Sequence, residues 1–450
     1  MTATLRPLVA RLPAPGPGLV LLLAFLLQLP LVLNPGYFSH DELQWAARAV
    51  HGEWFAWSAL DAFQYRPLTF NLWVAMSKLL FAWPQAFHAV LVLWGCANAA
   101  LLCAIGRRLG LRPWPAAIGA SCFALGPYAT YVHGWVGCIG DLAWLSCALL
   151  AAWSALRARR LALVALAAAA CTAIGLLAKE AALAIPVLAA VAWWFDRARR
   201  PRWLAAMLAS GAVAALFLAV RADALLHTPR EGAQYVLSLA NGPVRWLEYQ
   251  LFPPLLPLLE TFTTLNRAIP AHVVLAVLGA LAWMALAWAL WRAKLRYLAL
   301  FLLGGIAALA PVLPLGSAWN HYGYGFAAVA SMVVAAAWRD APRRARWIIA
   351  GYASLTVLHG AVVMLGMLHV GRVQSVFSPT LAQAVRVHGG TPLRLRLAPG
   401  AKPWIFARLT HDIPEYDGVA IGDRVRLVEA QDVADFLVLP DGRLQPLQHP

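Results

Sequence analysis

Charged side chains are scarce in this sequence. Only 12% of its 450 residues are charged, whereas 62% are hydrophobic. Soluble globular chains are about one quarter charged and about half apolar, and disordered chains are poor in apolar residues. The shortage of charge therefore excludes a soluble enzyme and a disordered scaffold.

Acidic residues are especially few, with 20 against 36 lysines and arginines, which gives a net charge of +16. In a soluble protein this excess would suggest a nucleic-acid partner, but the positions of the charges argue otherwise. Alternate loops between the apolar runs hold nineteen basic residues and two acidic ones, Asp196 and Asp340, so one side carries +17; the remaining 17 basic and 18 acidic residues give −1. Basic residues in short loops stay cytoplasmic. The charge therefore predicts a cytoplasmic amino terminus and an external tail, and no nucleic-acid partner.

Cysteine is absent from the tail, and the six cysteines of the chain all lie in or beside apolar runs. Such positions predict small apolar residues that pack between helices. The sequence therefore indicates neither a disulfide framework nor a structural metal motif.

Long apolar runs are what the sequence has in abundance. A run of roughly 17–25 residues crosses a hydrocarbon core of about 30 Å, and about eleven runs qualify. They predict an all-α polytopic membrane protein. The approximate spans are 17–33, 86–106, 113–132, 139–156, 161–178, 181–195, 203–220, 271–291, 297–315, 325–338 and 347–369. The first span follows Arg6 and Arg11 without a cleavage site after it, so we expect a retained anchor rather than a signal peptide.

Three external segments are long enough to form structure, at 34–85, 221–270 and 370–450. In the first, Ser39 is expected to cap a helix that contains Asp41 and Glu42, and many aromatic residues predict interfacial helices. The second contains a proline-broken stretch from Trp246 to Leu259, which fits interfacial helices or a re-entrant hairpin equally well. The third has alternating runs at 393–397 and 425–428, which predict strands. We therefore divide the chain into a membrane module, 1–369, and a small strand-containing external domain, 370–450.

Polar groups at a membrane edge are costly and suggest function. The strongest candidates all fall on the predicted external side: an acidic pair after the first span, the segment 65–69 (YRPLT), the segment 136–142 (VGCIGDL), and the segment 178–181 (AKEA). In this combination the sequence resembles the polytopic GT-C glycosyltransferases, and it is most similar to the protein O-mannosyltransferase branch with its tetratricopeptide-repeat mannosyltransferases. The resemblance covers roughly residues 17–335.

The resemblance implies an inverting enzyme that moves a sugar, mannose-like in that branch, from a polyprenyl-phosphate donor to an acceptor hydroxyl on a protein, a lipid or a glycan. A carboxylate must accept the hydroxyl proton. We expect Asp41 to be this base, with Glu42 as second choice and Asp141 as a group that orients the base or the acceptor. A helix cap or an ion pair is the competing interpretation of each.

The leaving phosphate needs fixed cations, and Lys179, Arg66 and His321 are the candidates. Arg66 would serve equally well to hold its own loop together through a carboxylate such as Asp61. We expect Tyr65, Tyr322, Tyr324 and His133 to contact the sugar or the lipid, although aromatic belts are the commoner place for such tyrosines. Glu180 is expected either to contact the substrate or to pair with Lys179 or another cation. No tight metal site is expected, and the one candidate cofactor is a loosely held divalent ion between Asp41 and the donor phosphate.

Two departures from the family pattern stand out. No tetratricopeptide array follows the spans, and position 321 of the segment 320–324 (NHYGY) is a histidine where the family has arginine. Two other functions therefore stay open: a flippase or transporter of lipid-linked sugar, and a degenerate, non-catalytic relative. A transporter would need polar residues at midplane depth, and the spans are nearly free of charge. We expect the chain in a bacterial inner membrane, with its active face and tail in the periplasm.

Overall fold

The computed structural model describes residues 14–228, 232, 235–253, 273–388 and 392–447. Helices dominate these ranges, and a small group of strands follows them. Arg6, Arg11 and the part of the proline-broken stretch beyond Pro253 lie outside the described residues, so the choice between interfacial helices and a hairpin is not tested there.

The helices begin at sites that the sequence marks, since many start with proline in the first turn, where its missing N–H costs no hydrogen bond. In chain order they are α1 (Pro17–Leu27), α2 (Leu29–Val32), α3 (His40–His51), α4 (Pro67–Leu80), α5 (Pro84–Arg108), α6 (Pro113–Leu125), α7 (Pro127–Gly134), α8 (Ile139–Arg157), α9 (Leu161–Ala178), α10 (Ala184–Phe195), α11 (Arg200–Val220), α12 (Ala222–His227), α13 (Gly242–Leu251), α14 (Val273–Ala293), α15 (Leu295–Leu309), α16 (Tyr324–Ala337), α17 (Arg343–His388) and α18 (Pro403–Thr410). Short 3-10 turns precede several of them, including Val136–Cys138, Glu180–Leu183 and Asn320–Gly323.

Each predicted span corresponds to helix in the structure, and among the described residues six helices are long and apolar enough to cross a membrane: α5, α8 with the turn before it, α9, α11 with the turn before it, α14 and α17. The apolar helices α1, α10 and α15 are shorter. The predicted span 113–132 is two helices, because the chain breaks at Gly126, which has extended backbone angles before Pro127. The described residues thus form a helical protein with membrane-spanning character.

The arginine-rich loops gather at one end of the helical bundle, which we call the basic end. There Arg199 donates to the Arg108 carbonyl at 3.0 Å, and Arg296 donates to the Phe195 carbonyl at 2.7 Å. Lys294 pairs with Asp340 at 2.8 Å. The chain reversals consequently bring the acidic pair and the segments 65–69, 136–142 and 178–181 to the opposite end.

The first external segment packs on the opposite end through aromatic rings. Trp45 of α3 stacks on Phe70 of α4 with centroids 4.9 Å apart, and it lies 4.8 Å from Trp73. The Trp73 indole donates to the carbonyl of Val136 at 2.7 Å, which fixes α4 against the start of α8. Part of the aromatic content therefore forms a local core, while Trp54 and Trp57 stay exposed.

The last long helix runs further than its apolar run predicts. α17 extends from Arg343 to His388, so the boundary placed at residue 370 falls inside a continuous helix. Beyond residue 370, α17 still contacts the first external segment, since the Tyr37 backbone donates to Gln374 at 2.8 Å, and it also packs on the tail, where Phe377 lies 5.0 Å from Phe406 of α18.

The tail contains the predicted strands. β1 (Leu393–Leu397) and β4 (Val425–Val428) are parallel neighbours, and the sheet continues through β5 (Phe436–Val438) to β6 (Leu444–Pro446) in the order β4-β1-β5-β6. A hairpin of β2 (Glu415–Tyr416) and β3 (Val419–Ala420) turns through Asp417 and Gly418, both with positive φ, as a tight hairpin requires. The tail lies on α3, because Gln44 donates to the Asp412 carbonyl at 2.6 Å.

One buried arginine holds the loop before α4. Arg221, which is 1% exposed, donates to the carbonyls of Leu60 at 3.1 Å and Ala62 at 2.5 Å, and its guanidinium lies 5.3 Å from the ring of Tyr65. The two bonded carbonyls belong to the residues that lead into Arg66, so this arginine helps to position the approach to Arg66.

We expect Arg221→Met to loosen this loop, because a hydrogen bond to a charged group contributes roughly 1.5–3 kcal/mol. Chymotrypsin should cleave the segment 52–65 about tenfold faster in the variant. Arg372→Met, which alters an exposed arginine of α17, is the matched control. Equal cleavage rates in the two variants would show that Arg221 does not hold the loop.

Candidate functional site

Three of the predicted segments meet at one point. The Thr69 hydroxyl, at the start of α4, donates to the carbonyl of Ala178, at the end of α9, at 2.7 Å. This contact passes over Gly140, where a Cβ would lie 2.9 Å from the threonine oxygen and 3.0 Å from the Ala178 oxygen. Only glycine fits at 140. The close contact between Thr69 and Ala178 therefore explains why the segment 136–142 has a glycine at this position.

A buried ion pair lies beside this point. The Lys179 ammonium is 2.5 Å from the Asp141 carboxylate, and their side chains are 7% and 2% exposed. Lys179 has extended backbone angles between α9 and the following 3-10 turn, while Asp141 occupies the first turn of α8. The ammonium also lies 4.8 Å from the ring centroid of Tyr322. Asp141 thus supplies the counter-charge that a buried lysine needs, and this commitment argues against its use as a base.

A second ion pair lies nearer to solvent. Arg66 donates from Nε to the Glu180 carboxylate at 2.7 Å, with side chains 19% and 25% exposed. Burial lowers the pKa of Arg66, but Glu180 and the neighbouring phenols more than offset this, so the net change is upward and the guanidinium stays charged. Glu180 therefore pairs with a cation, as one of its predicted roles required, and Asp61 is not the partner of Arg66.

Glu42 has a structural role. Its carboxylate accepts hydrogen bonds from the backbone N–H groups of Ser39 at 2.7 Å and Phe38 at 3.3 Å. In return, the Ser39 hydroxyl accepts from the backbone at the start of α3, so the two side chains form a capping box. The side chain is 2% exposed. Burial, together with the charge of Asp41, raises the pKa of Glu42 to about 7. The structure therefore corrects the second choice of base: Glu42 faces its own backbone, not the site.

Asp41 is the predicted catalytic carboxylate that stays accessible. Its side chain is 28% exposed and contacts the Ser39 hydroxyl at 3.2 Å and His40 Nε2 at 3.3 Å. Burial lowers the pKa of His40, and the charges of Arg408 and His411 lower it further against the opposing effect of Asp41. Among the described residues, His40 is the one titratable side chain within ion-pair distance of Asp41, so no lysine or arginine neutralises this carboxylate.

His321 lies in an aromatic shell. Its ring is 5.3 Å from Trp135, 4.3 Å from Tyr322 and 6.4 Å from Tyr131. Burial lowers its pKa well below the ordinary value, and Lys179, Arg66 and Arg408 lower it further. Burial and the neighbouring cations therefore disfavour a charge on His321, and its role as a donor-phosphate ligand stays a prediction.

Three side chains that were predicted to contact the substrate form hydrogen bonds within the protein instead. His133, which is fully buried, contacts Gln28 Oε1 at 2.7 Å and the Tyr324 hydroxyl at 3.0 Å. The Tyr65 hydroxyl donates to the carbonyl of Trp57 at 2.7 Å. Because these polar atoms are occupied inside the bundle or the loop, the structure does not bring His133, Tyr324 or Tyr65 to the site.

Other residues come to the site without having been predicted. The Tyr235 hydroxyl accepts from Gln64 at 3.2 Å, and its ring lies 5.1 Å from Phe63. Burial raises the pKa of Tyr235, Arg66 lowers it, and Asp41 and Glu180 raise it. Trp135 directly precedes the segment 136–142, and Gly137 leaves room for its indole. Arg408 of α18 has its guanidinium 4.8 Å from the Phe38 ring and 5.8 Å from the Trp135 ring. Proximity to a motif could have indicated Trp135, but no sequence signal indicated Tyr235 or Arg408.

Metal-ligating side chains do not cluster in the described part of the chain, where no group of three or more His, Cys, Asp or Glu residues is placed to hold an ion. The divalent ion expected between Asp41 and a donor phosphate needs the phosphate as a ligand, so it stays a prediction.

The buried pair makes a testable claim about stability. We expect Lys179→Met and Asp141→Asn each to lower the free energy of unfolding by about 3–5 kcal/mol, because each leaves a buried charge without its partner. The double variant should lose much less than the sum of the two. Thermal unfolding in detergent measures all three, with the exposed Lys78→Met as control. Additive losses would mean that the two side chains do not act as a pair.

The buried carboxyl group of Glu42 predicts that the stability of the protein depends on pH. A carboxyl group whose pKa is raised in the folded state stabilises the fold below its ordinary pKa, near 4.5, and loses this effect as the pH rises through about 7. The melting temperature should therefore fall over this interval, and fall less in Glu42→Gln, whose amide does not titrate. Identical pH profiles for the wild type and Glu42→Gln would contradict the assignment, and the exposed Glu53→Gln should match the wild type.

Comparison with known proteins adds no family to this geometry. No family model matches the chain, and neither a curated protein nor a solved structure matches it significantly.

Proposed function

We propose that this protein is a membrane-embedded, inverting glycosyltransferase of GT-C type that transfers a sugar from a polyprenyl-phosphate donor to an acceptor hydroxyl. The observation that carries the proposal is the meeting of four separate segments at one end of the bundle. There an accessible carboxylate, Asp41, lies at the same end of the bundle as the cations Arg66, Lys179 and Arg408. An accessible base and fixed cations are what removal of a hydroxyl proton and departure of a phosphate require.

The membrane arrangement in this proposal has about eleven spans, with the basic end in the cytoplasm. Positively charged loops favour that side, and the structure supports their separation from the site by placing them at the other end of the bundle. The site and the tail then face the periplasm of a bacterial inner membrane, where a lipid-linked donor presents its phosphate at the membrane edge.

Asp41 is the base in this proposal because the other two predicted carboxylates are committed. Glu42 caps α3 and Asp141 neutralises Lys179. Asp41 would take the proton of the acceptor hydroxyl as the oxygen attacks the anomeric carbon. The bond from that carbon to the phosphate oxygen breaks on the opposite face, which inverts the configuration, and the phosphate leaves on its lipid.

Arg66 is the better placed of the two paired cations for the leaving phosphate. It is about one fifth exposed, whereas Lys179 lies behind Tyr322 and against Asp141. A guanidinium that uses Nε for Glu180 still has its two amino groups for a phosphate, and it binds oxyanions through parallel hydrogen bonds. Tyr322 and Tyr235 would then border the sugar.

The proposal predicts that Asp41→Asn reduces sugar transfer by roughly 10²–10⁴-fold, the usual contribution of a general base, while the donor still binds. The measurement is transfer of radiolabelled sugar from synthetic polyprenyl-phosphate donors, with a panel of sugars, by purified protein in nanodiscs supplied with membrane acceptors. Asp61→Asn makes the same chemical change at an exposed external position and should stay active.

The same assay separates the alternatives. A flippase would move labelled donor across vesicles without transferring its sugar, and a non-catalytic relative would do neither. Transfer by Asp41→Asn at the wild-type rate would remove Asp41 as the base, and absence of transfer by the wild type from every donor would overturn the proposed function.

A further inference from the structure

A cavity of about 660 Å³ enters the bundle from the basic end, and most of its walls are apolar. It lies between the helices α5, α6, α8–α11, α15 and α16, where small residues such as Ala152, Ala192 and Gly304 line it. Neither Asp41 nor Arg66 lines it, so the cavity is distinct from the site of the proposed sugar transfer. Ligand cavities in proteins have volumes of about 300–1,000 Å³. The space is therefore large enough for a bound molecule.

The depth of the cavity corresponds to one leaflet of a bilayer. Along α16 the lining residues run from Ala336 to Gly325, a distance of about 16 Å at a rise of about 1.5 Å per residue. Along α10 they run from Phe195 to Ile185, which is about 15 Å. Each distance is about half of a hydrocarbon core of about 30 Å. The acyl chains of a phospholipid extend to this depth, whereas a polyprenyl chain is longer than one leaflet.

Cations surround the entrance of the cavity. Five basic residues and only two acidic ones line it, which gives its walls a net charge of +3. All five lie at or beside helix ends: Arg112, Arg199, Lys294, Arg296 and Arg339. The charge is therefore confined to the end of the cavity that reaches the surface, and the interior is apolar.

Two of these cations have acidic partners. Lys294 pairs with Asp340 at 2.8 Å, and Arg199 pairs with Asp196 at 2.9 Å. Hydrogen bonds from Lys294 and Tyr297 lower the pKa of Asp340, so this carboxylate keeps its charge. The two acidic residues of the entrance are thus already neutralised by cations of the entrance.

Three arginines remain for a ligand. Arg112, Arg296 and Arg339 are exposed, and none of them has a carboxylate within ion-pair distance in the part of the chain that the structure describes. Arg296 donates from one amino group to the Phe195 carbonyl at 2.7 Å, which holds it at the entrance. Basic pockets between membrane helices attract the head groups of anionic lipids. An apolar interior of leaflet depth below three unpaired arginines fits a molecule with a phosphate head and acyl chains.

We propose that this cavity binds one anionic phospholipid from the leaflet at the basic end, with its acyl chains between the helices and its phosphate at Arg112, Arg296 and Arg339. The lipid fills the space between helices that the small residues leave apart. Because it binds the folded bundle, it stabilises the protein. The proposal goes beyond the sugar transfer proposed above and does not depend on it.

Lipid binding tests the role of the charges. The purified full-length protein in detergent is titrated with phosphatidylglycerol or with phosphatidylcholine of the same acyl chains, and native mass spectrometry measures the bound fraction. The wild type should bind phosphatidylglycerol about tenfold more tightly. Arg296→Gln combined with Arg339→Gln should remove this preference, because each cation near the head group adds to the attraction.

Arg343→Gln combined with Arg344→Gln is the matched control for charge. These exposed arginines lie at the same end but do not line the cavity, so the pair of substitutions should keep the preference for phosphatidylglycerol. Phosphatidylglycerol should also raise the melting temperature of the wild type and of this control, but not that of the variant of Arg296 and Arg339.

Filling the cavity tests the position of the acyl chains. Ala152→Phe places a ring in the cavity and should weaken the binding of both lipids about tenfold. Ala170→Phe makes the same change at an exposed position of α9 outside the cavity and should bind as the wild type does. If Ala152→Phe does not fold, Ala336→Phe, which also fills the cavity, replaces it.

Three results would overturn the phospholipid site. They are equal affinity of the wild type for the two lipids, a preference for phosphatidylglycerol that survives the loss of Arg296 and Arg339, and wild-type binding by a folded cavity-filling variant. Displacement of phosphatidylglycerol by an equal concentration of decaprenyl phosphate would assign the cavity to a polyprenyl lipid instead and would also reject the proposal. None of these measurements uses sugar transfer, so the site and the proposed function fail or succeed separately.

Discussion

The buried pair of Lys179 and Asp141 is the interaction on which the site end of the bundle depends. It joins the end of α9 to the first turn of α8, and it lies beside the contact of Thr69 with Ala178 that brings in α4. An ammonium at this depth is tolerable only with a carboxylate against it. The pair therefore fixes where the chain reverses, and Glu180, the next residue, is in place to hold Arg66.

This constraint divides the charged groups of the site into those that build it and those that remain for chemistry. The charges of Lys179 and Asp141 are paired with each other, and Glu42 accepts hydrogen bonds from its own backbone. Asp41 has the imidazole of His40 within ion-pair distance, Arg408 has no ion-pair partner in the described chain, and Arg66 has one at the solvent edge. Groups that are paired within the protein hold one another in place, so Asp41, Arg66 and Arg408 lie on a fixed frame, which is the arrangement that electrostatic catalysis needs.

Local patterns predicted much of the fold. The cap at Ser39 followed from residue types three positions apart, the strands at 393–397 and 425–428 followed from alternation, and each apolar run became helix. The motifs were expected on one side, and the structure brings Arg66, Asp141 and Lys179 together there. What periodicity could not decide was which of two adjacent acids faces the site, since positions 41 and 42 differ by about 100° around α3.

Long-range contacts account for the rest. His133 and Tyr324 are hydrogen-bonded although they are 191 positions apart in the sequence, and no local sequence pattern indicates this contact. The lowered pKa of His321 results from burial and from three cations that come from distant segments. Arg408 is one arginine of many in a tail whose docking surface exists only after α3 and α17 have folded.

The unbroken course of α17 sets the register between membrane and tail. A helix of 46 residues is about 69 Å long, more than twice the thickness of a hydrocarbon core of about 30 Å. Each residue added or removed within it would shift whatever follows by about 1.5 Å and turn it by about 100°. The tail contacts the bundle beyond the end of this helix, so the number of residues between the last span and Arg408 determines the position and the orientation of the Arg408 guanidinium. Only a few helix lengths would return the guanidinium to the same contacts.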